Sequence, residues 1–154
     1  MLYLSGDSFA VNDFNRVRTC RLEIGFLSKQ CKNDLSGSCL MCDYGYMRQM
    51  GVADEYIKEM KTILARNTGG IDYLLLCTNG SFFDSYQISN DILIAILMEA
   101  QKCSIPNIII ETHYKDVSKE KLDIVNHIIH KPVTIEMGLE TINQKFQNAF
   151  FIFR

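Results

Sequence analysis

With 154 residues, the chain has the length of one domain and can bury a hydrophobic core without disulfides. Its 47% hydrophobic and 22% charged content excludes a disordered or fibrous protein, and its net charge of -2 gives no global reason to bind nucleic acid or an anionic membrane. No apolar run reaches the roughly 18 residues of a membrane span, and the N-terminus lacks a signal peptide, so we expect a cytoplasmic protein with no membrane partner.

Short apolar runs alternate with longer amphipathic stretches, a pattern typical of strand–helix units around a parallel sheet. Strands are predicted at 21–27, 71–77, 107–111 and 133–137, and helices at about 46–66, 90–103 and 118–130. This order predicts an α/β fold with about four βα units. Periodicity leaves two architectures open, an open doubly wound sheet and a partial TIM-type (β/α) barrel with parallel strands.

Both architectures bind ligands beyond the carboxyl ends of the strands. Chemically informative residues follow each predicted strand. They are three cysteines after the first strand, Thr78-Asn79-Gly80-Ser81 after the second, Glu111-Thr112-His113 at the third and Gly138-Leu139-Glu140 at the fourth. We therefore expect these four segments to converge on one edge of the sheet.

The stretch "CKNDLSGSCLMC", residues 31 to 42, holds three of the six cysteines. Cys39 and Cys42 form a C-x-x-C pair, and Cys31 is separated from that pair by seven residues. Clustered thiols in a reducing compartment more often bind metal than form disulfides, and thiolates select zinc or an iron–sulfur cluster. Structural zinc needs a fourth ligand, which could come from Cys20, Cys77, Cys103 or His113. Spacing alone leaves zinc and iron open.

Four blocks taken in order resemble the radical S-adenosylmethionine superfamily. They are "CKNDLSGSCLMCDYGY", "CTNGSFFDSYQIS", "IIIETHYKDVSKEKL" and "IEMGLETINQKF". The branch that they resemble contains the Elongator catalytic subunit and the archaeosine-synthase radical enzyme, both of which act on transfer RNA (tRNA). The seven-residue gap before the C-x-x-C pair departs from the three-residue gap most common in the superfamily.

The resemblance implies that Cys31, Cys39 and Cys42 hold a [4Fe–4S] cluster whose fourth iron is open to S-adenosyl-L-methionine. It also implies a one-electron donor as partner, and reductive cleavage of S-adenosyl-L-methionine to a 5'-deoxyadenosyl radical. The implied substrate is tRNA or another nucleoside-derived molecule.

The same resemblance implies cofactor contacts for five further residues. Asn79, Gly80 and Ser81 would contact the methionine amino group of the cofactor. Glu111 would reach the ribose hydroxyls, and Glu140 would lie near the cofactor. A simpler reading also stands, in which Asn79-Gly80 is an ordinary turn and both glutamates are solvated or cap helices.

Because the superfamily core has about six strand–helix units, residues 1–154 are expected to be the N-terminal part of such a domain, with the cysteine loop at 28–46 and the C-terminal part of the barrel missing. A partner subunit would then cover the open barrel edge. The alternative from another class is a non-catalytic, zinc-binding α/β interaction module.

Overall fold

A computed structural model describes residues 2–3, 8–12, 15–29, 31–32, 53–67 and 69–138. The elements in chain order are β1 (Leu2–Tyr3), β2 (Ser8–Asn12), β3 (Asn15–Thr19), β4 (Arg21–Phe26), α1 (Ala53–Arg66), β5 (Tyr73–Thr78), α2 (Asn90–Lys102), β6 (Asn107–His113), a short 3-10 turn (Tyr114–Asp116), α3 (Lys119–Ile128) and β7 (Val133–Gly138). The ends of the predicted strands and helices agree within two residues, except that residues 46–52 of the first predicted helix lie outside the described residues.

Local sequence accounts for several helix ends. Asp54 and Glu55 stand in the first turn of α1 and Arg66 in its last turn, where they complement the helix dipole. The Ser118 hydroxyl accepts from the backbone N–H of Lys121 at 3.2 Å and caps α3. None of the described helices is long and apolar enough to cross a membrane.

The main sheet has the strand order β1-β4-β5-β6-β7, and β4 to β7 run parallel. β1 joins the edge antiparallel to β4, and β2 and β3 form a separate antiparallel hairpin. The sequence pattern predicts none of β1 to β3. Their pairing depends on backbone hydrogen bonds between strands, which leave no apolar periodicity in short polar segments such as "NRVRT".

Three described helices pack against one face of the sheet. The buried core joins alternate strand residues to helix residues, and its members include Leu22, Ile24, Leu74, Leu76, Ile108, Ile110, Tyr56, Met60, Leu93, Ile96 and Val125. A doubly wound sheet would carry helices on both faces, so the one-sided packing within the described residues favours the barrel-type arrangement. The predicted fold class is confirmed: four parallel strands of one sheet alternate with helices, as in part of a βα barrel.

The second face of the sheet carries the intervening strand residues. Glu23 on β4, Cys77 on β5, Glu111 on β6 and Glu136 on β7 belong to this face, because strand residues alternate between faces. In a barrel this face is turned toward the interior. Titratable side chains therefore stand on the face that a closed barrel would enclose.

Candidate functional site

The predicted site residues divide into a described and an undescribed group. Cys31, Asn79, Gly80, Ser81 and Glu111 are described, whereas Cys39, Cys42 and Glu140 lie outside the described residues. Cys31 follows β4 and residues 79–81 follow β5. Glu111 lies two residues before the carboxyl end of β6. The parallel order of these strands brings the three segments to the same edge of the sheet, as the sequence predicts.

Asn79 joins the loop after β5 to the loop after β4. Its Oδ1 accepts from the backbone N–H of Ser28 at 2.9 Å and from the Ser28 hydroxyl at 3.0 Å. The Ser28 hydroxyl also lies 2.8 Å from that of Thr78. Asn79 is buried and its carboxamide oxygen is engaged by Ser28, so Gly80 is the exposed residue among positions 79–81.

Gln87 is a residue of this junction that no sequence motif predicts. Its Oε1 accepts from the backbone N–H of Ser81 at 2.5 Å, and its Nε2 donates to the carbonyl of Lys29 at 3.0 Å. Its side chain occupies the space where a Cβ on Gly80 would stand. Gln87 is 7% exposed, so one buried amide holds the loop after β5 to the backbone two residues before Cys31.

Ser81 connects the same loop to the end of β6. Its hydroxyl lies 2.9 Å from the hydroxyl of Thr112 and accepts from the backbone N–H of His113 at 3.1 Å. Thr112 in turn accepts from the backbone N–H of Phe83 at 3.1 Å. Ser81 and Thr112 are both buried, so these bonds fix the loop after β5 relative to the end of β6.

A pocket of about 150 Å³ opens at this edge of the sheet. Its lining residues are Cys31, Lys32, Gly80, Ser81, Asp84, Gln87, His113, Lys115 and Asp116. Burial lowers the pKa of His113, an effect that Asp116 opposes and Lys115 reinforces. Burial thus favours the uncharged imidazole, whose Nδ1 accepts from the backbone N–H of Lys115 at 3.3 Å.

Glu111 is not among the residues that line this pocket; it stands on the second face of the sheet, two residues before His113 at the end of β6. Partial burial, with repulsion from Glu136 and Glu23, raises the pKa of Glu111, and Arg21 partly offsets this shift. The structure thus brings Cys31, Gly80 and Ser81 to one pocket. Glu111 lies outside this pocket, on the second face of the sheet.

The remaining described cysteines have other surroundings. Cys20 precedes β4, at the opposite end of the sheet from Cys31. Burial and the nearby carboxylates of Glu23 and Glu111 raise the pKa of Cys77 to about 12, so this thiol stays protonated. The Cys103 thiol follows α2 and donates to the carbonyl of Ala100 at 3.1 Å. Among the described residues, no three potential metal ligands come together; two of the predicted thiols are outside that part of the chain.

The fold and the site define an α/β protein with a barrel-type sheet and a polar pocket at the carboxyl ends of its parallel strands. The chain is similar to archaeosine synthase subunit beta of Methanosarcina acetivorans, with 25% identity over 138 residues. The match covers 86% of the chain but 40% of the relative, so the chain spans less than half the length of this curated protein. No protein-family model matches the chain, and no solved structure matches it.

Proposed function

We propose that the chain takes part in tRNA modification as a radical S-adenosylmethionine protein. One observation carries the proposal: Cys31 lines the same pocket as Gly80 and Ser81, at the strand ends of a barrel-type sheet. Similarity to archaeosine synthase subunit beta supports the tRNA-modifying part, since archaeosine synthesis is a tRNA modification. The relative's designation as a subunit also supports an assembly with a partner chain.

The donor set fits an iron–sulfur cluster with one open iron. Cys31, Cys39 and Cys42 offer three thiolates within twelve residues of sequence, and thiolates are the usual ligands of such clusters. Cys77 is unsuited as a fourth ligand because its buried thiol stands on the second face of the sheet and donates to the Glu23 carboxylate at 3.7 Å. Cys20 is unsuited because it lies at the other end of the sheet. A cluster held by these three thiolates alone would leave one coordination position to a cofactor.

A bound cluster would supply the electron that cleaves S-adenosyl-L-methionine. The residues of the chain would bind and orient that cofactor. Gly80 would offer its exposed backbone to the cofactor at the mouth of the pocket, while the space that a Cβ would need is filled by the Gln87 side chain. Glu111 would accept from ribose hydroxyls, and Glu140 would lie beside the cofactor.

Anaerobic purification with iron, sulfide and zinc analysis tests the cluster. We expect a brown protein with broad absorption near 400 nm and about four irons per chain. Cys39→Ala should abolish the colour, whereas the matched variant Cys103→Ala should keep it, because the Cys103 thiol bonds to a carbonyl of α2. A colourless protein with stoichiometric zinc would refute the proposal and favour the zinc-binding interaction module. Full cluster content in Cys39→Ala would refute the ligand assignment.

A further inference from the structure

Exposed aromatic rings are concentrated at the edge of the sheet that carries the pocket. The large hydrophobic side chains that are exposed in the described residues are Tyr86, Met98, Tyr114 and Met137. Both aromatic members follow strand ends: Tyr86 lies in the loop after β5 and Tyr114 directly follows β6. They are 42% and 40% exposed. The Tyr114 ring also lies against that of His113, with 4.7 Å between the centroids.

Three lysines stand beside these two rings. The Nζ atoms of Lys29 and Lys32 lie 4.7 and 5.0 Å from the centroid of Tyr86, within the range of cation–π contacts. The Nζ of Lys115 lies 6.0 Å from the centroid of Tyr114. We refer to Lys29, Lys32, Tyr86, Tyr114 and Lys115 together as the lysine–tyrosine rim.

The solvent-facing charge of this rim is positive, although two aspartates lie beside it. Asp84 pairs with Lys32 at 2.7 Å, but the Lys32 side chain is 54% exposed and that of Asp84 only 13%. Asp116 is likewise less exposed than Lys115. An ammonium carries three N–H donors, so Lys32 can bond to Asp84 on the inner side and to an anion on the outer side.

We propose that the lysine–tyrosine rim binds a single-stranded segment of RNA and presents it to the adjacent pocket. Unpaired bases stack on exposed aromatic rings, and lysines contact the phosphates between them. An acidic polypeptide would use the lysines but not the rings. The inference rests on the proposed function, which makes RNA the substrate. It assigns the surface that receives this substrate in a chain whose net charge is -2.

The first test measures anisotropy of a labelled single-stranded RNA of about 12 nucleotides, within the usual site size. The rim variant is Lys29→Ala/Lys32→Ala/Lys115→Ala. The control variant is Lys58→Ala/Lys102→Ala/Lys119→Ala, which removes the same charge from exposed positions on the outer helices. Each phosphate contact contributes about 0.7 to the slope of log affinity against log salt. We expect the slope to fall by about 2 in the rim variant and to stay unchanged in the control.

The second test separates stacking from charge. Tyr114→Phe should bind RNA as the wild type does, whereas Tyr114→Leu should lose at least about 5-fold in affinity, the lower end for one lost base–aromatic stack. Both variants keep an apolar side chain at this exposed position, so a general folding defect would affect them alike and circular dichroism would detect it.

Three results would overturn the inference. They are equal salt slopes for the rim and control variants, equal affinities for Tyr114→Phe and Tyr114→Leu, and competition by polyglutamate as effective as that by RNA. Binding is measured whether or not the protein carries iron. An iron-free protein that binds RNA through the rim would refute the proposed cluster alone. A cluster-bearing protein whose RNA affinity is unchanged in the rim variant would refute this inference alone.

Discussion

Gly80→Ala should destabilise the wild-type protein and should stabilise a protein that lacks the Gln87 side chain. An ideal Cβ on Gly80 would lie 2.3 Å from Nε2 and 2.4 Å from Oε1 of Gln87, where real Cβ contacts are essentially never below 3.0 Å. The Gln87 amide must therefore move by about 1 Å to reach the ordinary contact distance of 3.4 Å.

The cost of that movement follows from the two hydrogen bonds of the amide. The bonds to Ser81 N–H and to the Lys29 carbonyl are each worth about 0.5–1.5 kcal/mol, so losing both costs about 1–3 kcal/mol. The φ of Gly80 lies outside the left-handed region, so alanine is free of backbone strain there. Without the clash, alanine should add about 0.4–1 kcal/mol by restricting the unfolded chain.

Urea denaturation of the wild type, Gly80→Ala, Gln87→Ala and the double variant measures the coupling as a double-mutant cycle. Gly69→Ala is the control, because among the described residues no heavy atom outside its chain neighbours lies within 4 Å of the Cβ position at Gly69. It should have the same effect in both backgrounds. Amide hydrogen exchange at 28–32 should also rise in Gln87→Ala, since Gln87 holds the Lys29 carbonyl. An equal effect of Gly80→Ala in both backgrounds would refute the reasoning.

Three further predictions concern the loops around the pocket. Thr112→Val should cost about 1–3 kcal/mol in urea denaturation, because it leaves the buried Phe83 N–H without its acceptor, and a neutral result would contradict the role of this hydroxyl. Lys121→Met should lower the free energy of unfolding by a similar amount, because the buried Lys121 ammonium donates to Ser85 and Asn90. The control Lys119→Met, at an exposed site on the same helix, should change it by less than about 0.5 kcal/mol. Because the folded state lowers the pKa of His113 below 6.5, its stabilising contribution is full above that value and is lost as the pH falls below it. The stability of the wild type relative to His113→Asn should therefore drop as the pH falls below about 6.5, and parallel pH profiles would contradict this.

Local sequence patterns determined the strands and helices of the main sheet. The apolar runs before Thr78 and Glu111 predict β5 and β6 closely, and the amphipathic stretch between them predicts α2. Burial on one or both faces imposes a regular spacing of apolar residues, and this spacing is visible within a short stretch of sequence. Parallel order then follows from the crossovers. It predicts that the segments carrying Cys31, Gly80 and Ser81 share one edge, as they do. Their roles in cofactor binding remain predictions.

Tertiary structure decided the features that depend on partners distant in the chain. Alternation along β6 assigns Glu111 to one face, but only the packed helices show that this face is the one opposite the core. The sequence likewise marks Gln87 as nothing more than a polar residue after a turn. Its importance arises because it reaches the Lys29 carbonyl, 58 residues away, while filling the space beside Gly80. A buried polar group is defined by its neighbours in space, and no sequence period encodes such neighbours.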